Sequence, residues 1–149
     1  VMKVYAGYIN LKPINGVIFP SYAQNQINRN YILTKLHGEF FLSTNENTYG
    51  KNNIILRSLL SEKKLKGVSI LSVISLPDNF IDRKEIYKLA EKNKKELHFV
   101  FEEIVFRKKK DLELIEENLL FNSPFFTKKK TNLTSLEKRL FIDDKWSFV

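Results

Sequence analysis

The chain has 149 residues, 43% of them hydrophobic and 28% charged, which is typical of one folded globular domain and not of a disordered segment. It contains no cysteine, which excludes disulfides, thiolate nucleophiles and cysteine-ligated metal sites. No apolar run approaches the ~20 residues of a membrane-spanning helix, and no charged segment followed by an apolar stretch opens the chain, so we expect a cytosolic protein.

The formal net charge of +8 raises the question of a nucleic-acid partner, because lysine and arginine neutralise phosphates. Only five of the basic residues are arginine, and they are scattered along the chain. Readout of bases or phosphates by bidentate guanidinium groups favours clustered arginine. The abundance of lysine, asparagine and isoleucine is also typical of AT-rich coding sequences. We therefore do not expect nucleic acid as the partner.

The first half of the chain alternates strand and helix signals. Val4 to Ile9 is short, apolar and rich in β-formers, which predicts a buried strand. Pro20 or Ser21 opens a helix whose apolar residues Ala23, Ile27 and Tyr31 recur at helical spacing, and Gly38 ends it. A second strand at 40–42, a polar loop at 43–53 and a second helix at 54–63 follow.

The alternation continues to residue 106. A long apolar strand at 67–76 ends at Pro77, a helix capped by Asp82 covers 82–94, and an aromatic strand covers 97–106. Alternating strands and helices favour right-handed βαβ units. We predict a three-layer α/β domain with a four-stranded, mainly parallel sheet of order 2-1-3-4, as in flavodoxin and resolvase-like folds.

Residues 107–149 differ in character from this core domain of residues 1–106. They contain lysine runs at 107–110 and 128–130, a predicted packing helix at 111–121 and an arm from residue 122 onward. The arm has too many apolar side chains for a solvated tail, so we expect it to pack on the core or on a second copy of the chain, as in a homodimer. Those side chains are Phe125, Phe126, Leu140, Phe141, Trp146 and Phe148.

Polar side chains follow the predicted strands at their carboxyl ends, where open α/β sheets bind their ligands. Asn10 and Lys12 follow the first strand. Ser43 and Glu46 follow the second. Ser75 and Asp78 close the third, and Glu102 lies late in the fourth.

Three further polar residues lie in the first turns of the first helix, namely Gln24, Asn25 and Arg29. An arginine there could clamp a carboxylate or phosphate with two parallel hydrogen bonds. We predict an anion-binding site with Glu46 or Glu102 as acid/base candidates if a reaction occurs. Its predicted ligand contacts are Asn10, Lys12, Gln24, Asn25, Arg29, Ser43 and Ser75.

Neither histidine points to catalysis or metal binding. His37 precedes Gly38 at a predicted helix end, where it stabilises the last carbonyls, and His98 on an apolar strand is typical of a core histidine. No pair of histidines has metal-ligand spacing. The glycine patterns of phosphate-binding loops are also missing. The sequence therefore predicts no metal and no cofactor.

Several short motifs follow one another along the chain at defined spacings. They are GYI-x-x-x-P-x-x-G-x-x-x-P at 7–20, QN-x-x-x-R-x-Y at 24–31, LS at 42–43 with Glu46, and glycine at 67 with LP at 76–77. In the order and spacing of these motifs, residues 5 to 104 resemble a bacterial family called the sporadic carbohydrate cluster proteins. The family has serine and arginine where this chain has Leu11 and Lys12. The resemblance implies a role in surface-polysaccharide or other carbohydrate biosynthesis. We therefore expect the ligand of the predicted anion-binding site to be an anionic sugar or a nucleotide sugar.

A second resemblance is to the catalytic domain of serine recombinases, which share the order of strand, loop and glutamine-containing helix. The serine nucleophile of that family would fall near Asn10 or Leu11, and its set of arginines is missing here. This resemblance implies a shared fold without recombinase chemistry. A nucleic-acid-binding module and a non-catalytic assembly protein remain alternatives, and whether the protein is an enzyme stays open.

Overall fold

The computed structural model describes residues 2–46 and 53–122, which form an α/β fold with one five-stranded mixed sheet and four α-helices. The strands are β1 (Val4–Ile9), β2 (Glu39–Asn45), β3 (Gly67–Ile70), β4 (Glu96–Phe99) and β5 (Ile104–Phe106). The helices are α1 (Ser21–Thr34), α2 (Ile54–Leu60), α3 (Phe80–Lys92) and α4 (Leu112–Phe121). Short 3₁₀ turns lie at Val73–Ser75 and Lys109–Asp111.

The strands lie in the order β2-β1-β3-β4-β5, with β1 to β4 parallel and β5 antiparallel to β4. From β1 the chain moves outward to β2 and then returns past β1 to β3. The connections that follow β1 and β3 therefore leave the sheet in opposite directions. This reversal opens a crevice at the carboxyl ends of those two strands.

The main hydrophobic core lies between the sheet and helices α2, α3 and α4. Ala6 and Tyr8 of β1, together with the apolar side chains of β3 and β4, pack there against Leu56 and Ile86. Helix α4 joins the same core through Leu112 and Ile115, which are buried. This side of the sheet follows the ordinary pattern of apolar helix faces packed on β-branched and aromatic strands.

The opposite face of the sheet is polar where α1 covers it. The buried residues of α1 are Gln24, Asn28 and Ile32. Gly7 of β1 lies under this helix, and a Cβ atom there would come within 2.6 Å of Ser43 Oγ and 3.2 Å of Asn28 Cβ. Glycine at this position is what lets α1 approach the sheet closely. The helix predicted from the spacing of Ala23, Ile27 and Tyr31 is present, and these three side chains are partly buried.

The sheet has five strands instead of the four predicted. Residues 97–106 form a hairpin of β4 and β5 instead of one long strand, and Glu103 in its turn has a positive φ of 56°. The turn is held from outside the hairpin, because the Glu102 carboxylate accepts hydrogen bonds from Ser72 Oγ (2.5 Å) and from the Val73 amide (3.0 Å). A contact between distant segments therefore ends β4 early.

The other element boundaries differ by a few residues. Strand β3 stops at Ile70 because the Ser72 side chain caps the following 3₁₀ turn by accepting from the Ile74 amide. Strand β2 extends over Glu39–Asn45, and Asn79, not Asp82, caps α3. Within the described ranges no helix is both long and apolar enough to cross a membrane. The aromatic arm and the lysine run at 128–130 lie outside the described residues.

Candidate functional site

A cavity of about 260 Å³ lies at the carboxyl ends of β1 and β3, in the crevice that the strand order opens. Its walls come from four parts of the chain. They are the end of β1 and the following loop (Tyr8, Asn10, Lys12), the end of β2 and the start of α2 (Glu46, Asn53), the loop after β3 (residues 75–79), and Asp82 of α3.

The loop from β1 to α1 forms the first wall and is fixed by its own hydrogen bonds. Ile14 and Val17 pair across a two-residue turn in which Asn15 and Gly16 both have positive φ, at 51° and 82°. Asparagine followed by glycine is the preferred sequence for such a turn, because neither residue is strongly strained there. Behind it, Gln24 Nε2 donates to the carbonyls of Asn10 (2.7 Å) and Phe19 (2.8 Å). The loop is thus held to α1.

Asn10 and Lys12 join this loop to the loop after β3. Asn10 Nδ2 donates to the Ser75 carbonyl over 2.8 Å, and Asn10 Oδ1 accepts from the Lys12 amide. The Lys12 ammonium donates to the Leu76 carbonyl (2.7 Å) and forms a salt bridge with Asp78 (2.5 Å). The Lys12 side chain is only 15% exposed, whereas that of Asp78 is 90% exposed. The ammonium group therefore sits in the cavity wall with its charge already partnered.

Glu46 and Tyr8 form the opposite wall. The Tyr8 hydroxyl donates to Glu46 Oε1 (2.9 Å) and accepts from Asn53 Nδ2 (3.3 Å), while Glu46 also accepts from the amides of Ile55 and Leu56 at the start of α2. Burial, with the neighbouring Glu46 carboxylate adding to it, raises the pKa of Tyr8 above its ordinary value. The phenol therefore keeps its proton and serves as a hydrogen-bonding group.

Arg83 supports the cavity from behind. Its guanidinium donates to the Pro77 and Asp78 carbonyls of the wall (2.9 and 2.7 Å) and to both oxygens of Glu116 on α4 (2.8 and 2.7 Å). The Tyr87 hydroxyl donates to the same carboxylate over 2.8 Å. Because Arg83 and Glu116 are both buried, this bidentate pair holds the loop after β3 in one position.

The cavity offers both donors and acceptors of hydrogen bonds. Hydroxyl, amide, ammonium and carboxylate groups converge on it, and its carboxylates (Glu46, Asp78 and Asp82) outnumber its single ammonium group. An anionic ligand in this cavity would therefore meet a net negative formal charge. Within the described residues, no group of three or more histidine, aspartate or glutamate side chains could hold a metal ion.

The structure brings together four of the residues predicted to form the site, Asn10, Lys12, Glu46 and Ser75. Gln24 lies behind the wall and binds backbone carbonyls. Ser43 packs beside Gly7 under α1, and its buried hydroxyl has no hydrogen-bond partner among the described residues. Asn25 is partly buried on α1 and does not line the cavity.

Arg29 and Glu102 lie elsewhere. Arg29 lines a separate, shallow cavity of about 490 Å³ beside β2, with His37 and Phe40, and its guanidinium carbon is 5.8 Å from the centre of the Phe40 ring. Glu102 uses both carboxylate oxygens to hold the 3₁₀ turn after β3. Neither Arg29 nor Glu102 therefore lines the cavity at the carboxyl ends of β1 and β3.

Sequence reasoning missed Tyr8, Asn53, Asn79 and Asp82 as cavity residues. The sequence pattern predicts Tyr8 only as part of an apolar strand, although its position near the carboxyl end of β1 is a usable signal. Asn79 and Asp82 follow Pro77 closely, so a correct end for β3 would have pointed to them. No local signal marked Asn53, which reaches the cavity from the far side of a polar loop.

A second buried polar cluster lies between β4 and α1. Glu96 accepts hydrogen bonds from His98 Nε2 (2.9 Å), Arg107 Nε (2.9 Å) and the Tyr5 hydroxyl (3.3 Å), and Tyr31 bonds His98 Nδ1 over 3.0 Å. The hydrogen bond from His98, with that from Arg107, lowers the pKa of Glu96 to about 2. Burial and the Glu96 carboxylate raise the pKa of Tyr5 to about 12. Within the described residues the cluster ties β1, β4, α1 and the end of β5 together.

A scan of protein-family models, a search of curated proteins and a search of solved structures each return no significant match to this chain.

Proposed function

We propose that this protein binds a single sugar unit in the cavity at the carboxyl ends of β1 and β3, as part of bacterial surface-polysaccharide or carbohydrate biosynthesis. The observation that carries the proposal is the convergence of hydroxyl, amide, carboxylate and ammonium groups on one cavity at the point where the strand order reverses. Sugar hydroxyls both donate and accept hydrogen bonds, so they match a wall that mixes donors and acceptors. The pathway rests on the family resemblance of the sequence.

The size of the cavity supports a small ligand. Its volume of about 260 Å³ lies just below the range of roughly 300–1,000 Å³ that is usual for drug-sized ligands. One hexose-sized ring fits that space. The nucleotide of a nucleotide sugar would extend beyond it, past the exposed side chains of Asp78 and Asn79.

The charges favour a neutral sugar over the anionic sugar that the sequence suggested. That expectation depended on Arg29, Lys12 and Gln24 acting together. Arg29 lines another cavity, Gln24 binds backbone carbonyls, and Lys12 is paired with Asp78. The proposed ligand is therefore a neutral hexose unit, free or as the sugar part of a nucleotide sugar. Its hydroxyls would donate to the Asp82 carboxylate and accept from Asn79 Nδ2, since Asn79 Oδ1 already accepts from the Ile81 amide.

Titration calorimetry with neutral hexoses, hexuronic acids and uridine diphosphate hexoses tests this. Neutral hexosyl ligands should bind, and Asp82→Asn should weaken binding about tenfold, because a hydrogen bond to a charged acceptor is worth roughly 1.5–3 kcal/mol. Glu85→Gln, one turn further along α3 and outside the cavity lining, is the matched control and should leave affinity unchanged.

Arg29→Ala separates this site from the one predicted from sequence. We expect it to leave affinity unchanged, since Arg29 does not line the cavity. Tighter binding of hexuronic acids that is lost in Arg29→Ala would overturn the proposed site. Equal affinity of the unaltered protein and Asp82→Asn would do the same.

A further inference from the structure

The charged residues are segregated between the two edges of the sheet. Three connections lie at the edge that holds the amino ends of the parallel strands. Segment 61–66 (SEKKLK) precedes β3, and segment 93–95 (NKK) precedes β4. Segment 107–111 (RKKKD) follows β5 and lies at the same edge because β5 runs antiparallel. These three segments together hold nine basic and two acidic residues. Lys3 and Lys35 lie at the same edge, before β1 and after α1. We call this surface the basic edge.

Direct contacts show that these segments lie side by side. The Lys66 amide donates to the Val4 carbonyl (2.7 Å), and the Glu96 amide donates to the Lys66 carbonyl (3.0 Å). The Lys95 ammonium donates to the Glu62 and Leu65 carbonyls, both over 2.6 Å. The connections before β1, β3 and β4 are therefore neighbours in space and form one continuous surface.

The carboxyl edge has the opposite charge. Its described connections carry the acids Glu46, Asp78, Glu102 and Glu103, and a single lysine, Lys12, which is paired with Asp78. A lysine-rich composition on its own would place cations at both edges. The segregation shows instead that the fold collects positive charge on the face opposite the cavity.

Most of the lysines of the basic edge are solvent-exposed. Lys63, Lys64 and Lys94 are exposed and form no salt bridge with any described carboxylate. The carboxylate of Asp111 is used locally, by the amides of Arg107 and Lys108. Lys63, Lys64 and Lys94 therefore present positive charge to solvent at this edge.

We propose that the basic edge docks this protein onto an anionic lipid bilayer surface, with the cavity facing away from the membrane into solution. Lysine ammonium groups act as point charges and suit a diffuse layer of anionic headgroups. The one arginine of the three segments, Arg107, is paired with Glu96, and Arg29, which lines the same cavity as Met2 and Leu33, packs on the Phe40 ring. The described part of this edge therefore presents no cluster of guanidinium groups of the kind that reads nucleic acid. Two apolar side chains flank the lysines, Met2 (61% exposed) and Leu33 (44% exposed), and such groups enter the interfacial layer of a bilayer.

Cosedimentation of the full chain with vesicles tests the proposal. The protein should bind vesicles of phosphatidylcholine containing about 30% phosphatidylglycerol and not pure phosphatidylcholine. Binding should weaken steeply between about 0.05 M and about 0.5 M salt, because exposed charges are screened over shorter distances as salt rises.

Two matched variants assign the binding to this surface. Lys63→Gln with Lys94→Asn removes two charges from the basic edge, and asparagine tolerates the positive φ of 55° at position 94. We expect about thirtyfold weaker vesicle binding, since each lysine near an anionic surface contributes about 1 kcal/mol. Lys84→Gln with Lys88→Gln removes the same charge from α3 and should change vesicle binding little.

Three outcomes would overturn the proposal. They are equal losses in the two double variants, failure of the unaltered protein to bind anionic vesicles, and salt-sensitive binding of duplex DNA without vesicle binding. The last outcome would assign the basic edge to nucleic acid. None of these results depends on whether the cavity binds a sugar.

Discussion

Ser69 of β3 donates a hydrogen bond of 2.9 Å to Asn28 Oδ1 of α1, and both residues are fully buried. Asn28 also donates to the Tyr8 carbonyl over 3.3 Å. Helix α1 therefore packs on the sheet through polar groups that satisfy one another. Such a contact is position-specific, because a shifted helix would leave buried donors and acceptors without partners.

Asn28→Ala should destabilise the protein by about 1–3 kcal/mol, since it leaves the Ser69 hydroxyl buried without its acceptor. Ser69→Ala should cost a similar amount by leaving Asn28 Oδ1 unpaired. The double variant should be less destabilised than the sum of the two, with a coupling of about 1 kcal/mol. Urea unfolding of the four proteins measures this, and strictly additive losses would contradict the contact.

The Glu96 cluster predicts a dependence of stability on pH. Glu96 has its pKa lowered from 4.5 to about 2, so the folded state holds its carboxylate ionised where the unfolded state would protonate it. This contribution is complete above the unfolded pKa and is lost as the pH falls from about 5 toward about 2, with a total of about 3 kcal/mol at 1.4 kcal/mol per unit.

Glu96→Gln should therefore lower stability near neutral pH and flatten its decline between about pH 5 and about pH 2. Chemical denaturation at several pH values gives the slope. Glu85→Gln, which alters an exposed carboxylate paired with Arg57, is the control and should retain the slope of the unaltered protein. An unchanged slope in Glu96→Gln would show that another group governs acid sensitivity.

The buried pair of Arg83 and Glu116 predicts different effects on stability and on binding. Arg83→Met should cost about 3–5 kcal/mol, because the Glu116 charge is then buried without its partner. Arg83→Met with Glu116→Leu should recover much of that stability. It should not recover sugar affinity, because the Pro77 and Asp78 carbonyls lose the guanidinium that holds them. Thermal unfolding and calorimetry on the same samples separate the two effects.

A side chain at position 67 should have a strong steric effect in the sheet. A Cβ atom at this position would lie 2.5 Å from the Glu96 carbonyl oxygen and 2.9 Å from Glu96 Cβ, so Gly67→Ala must move β3 and β4 apart. We expect a loss of about 3 kcal/mol. Gly16→Ala is the comparison: nothing lies within 4 Å of its Cβ position, and its positive φ of 82° should cost only about 1 kcal/mol. Equal losses in a denaturation series would contradict the crowding at Gly67.

Part of the fold was predictable from local sequence. The bounds of β1 agree with those predicted, and the starts of α1 and α2 agree as well, because a short run of β-formers and a proline before a helix act on neighbouring residues. That Asn10, Lys12, Glu46 and Ser75 line one cavity was predictable for a related reason. Side chains that follow parallel strands meet at one edge of the sheet whatever the details of packing.

The sequence by itself thus determined the alternation of strands and helices and the edge of the sheet where polar groups gather. Only the tertiary structure decided that residues 97–106 turn back as a hairpin, that α1 buries Gln24 and Asn28, and that Arg29 lies away from the cavity. Each of these depends on contacts between residues far apart in the chain, such as Glu102 with Ser72 or Asn28 with Ser69. Local propensity and spacing carry no information about such contacts, whose free energy outweighs the preferences of the segments they join.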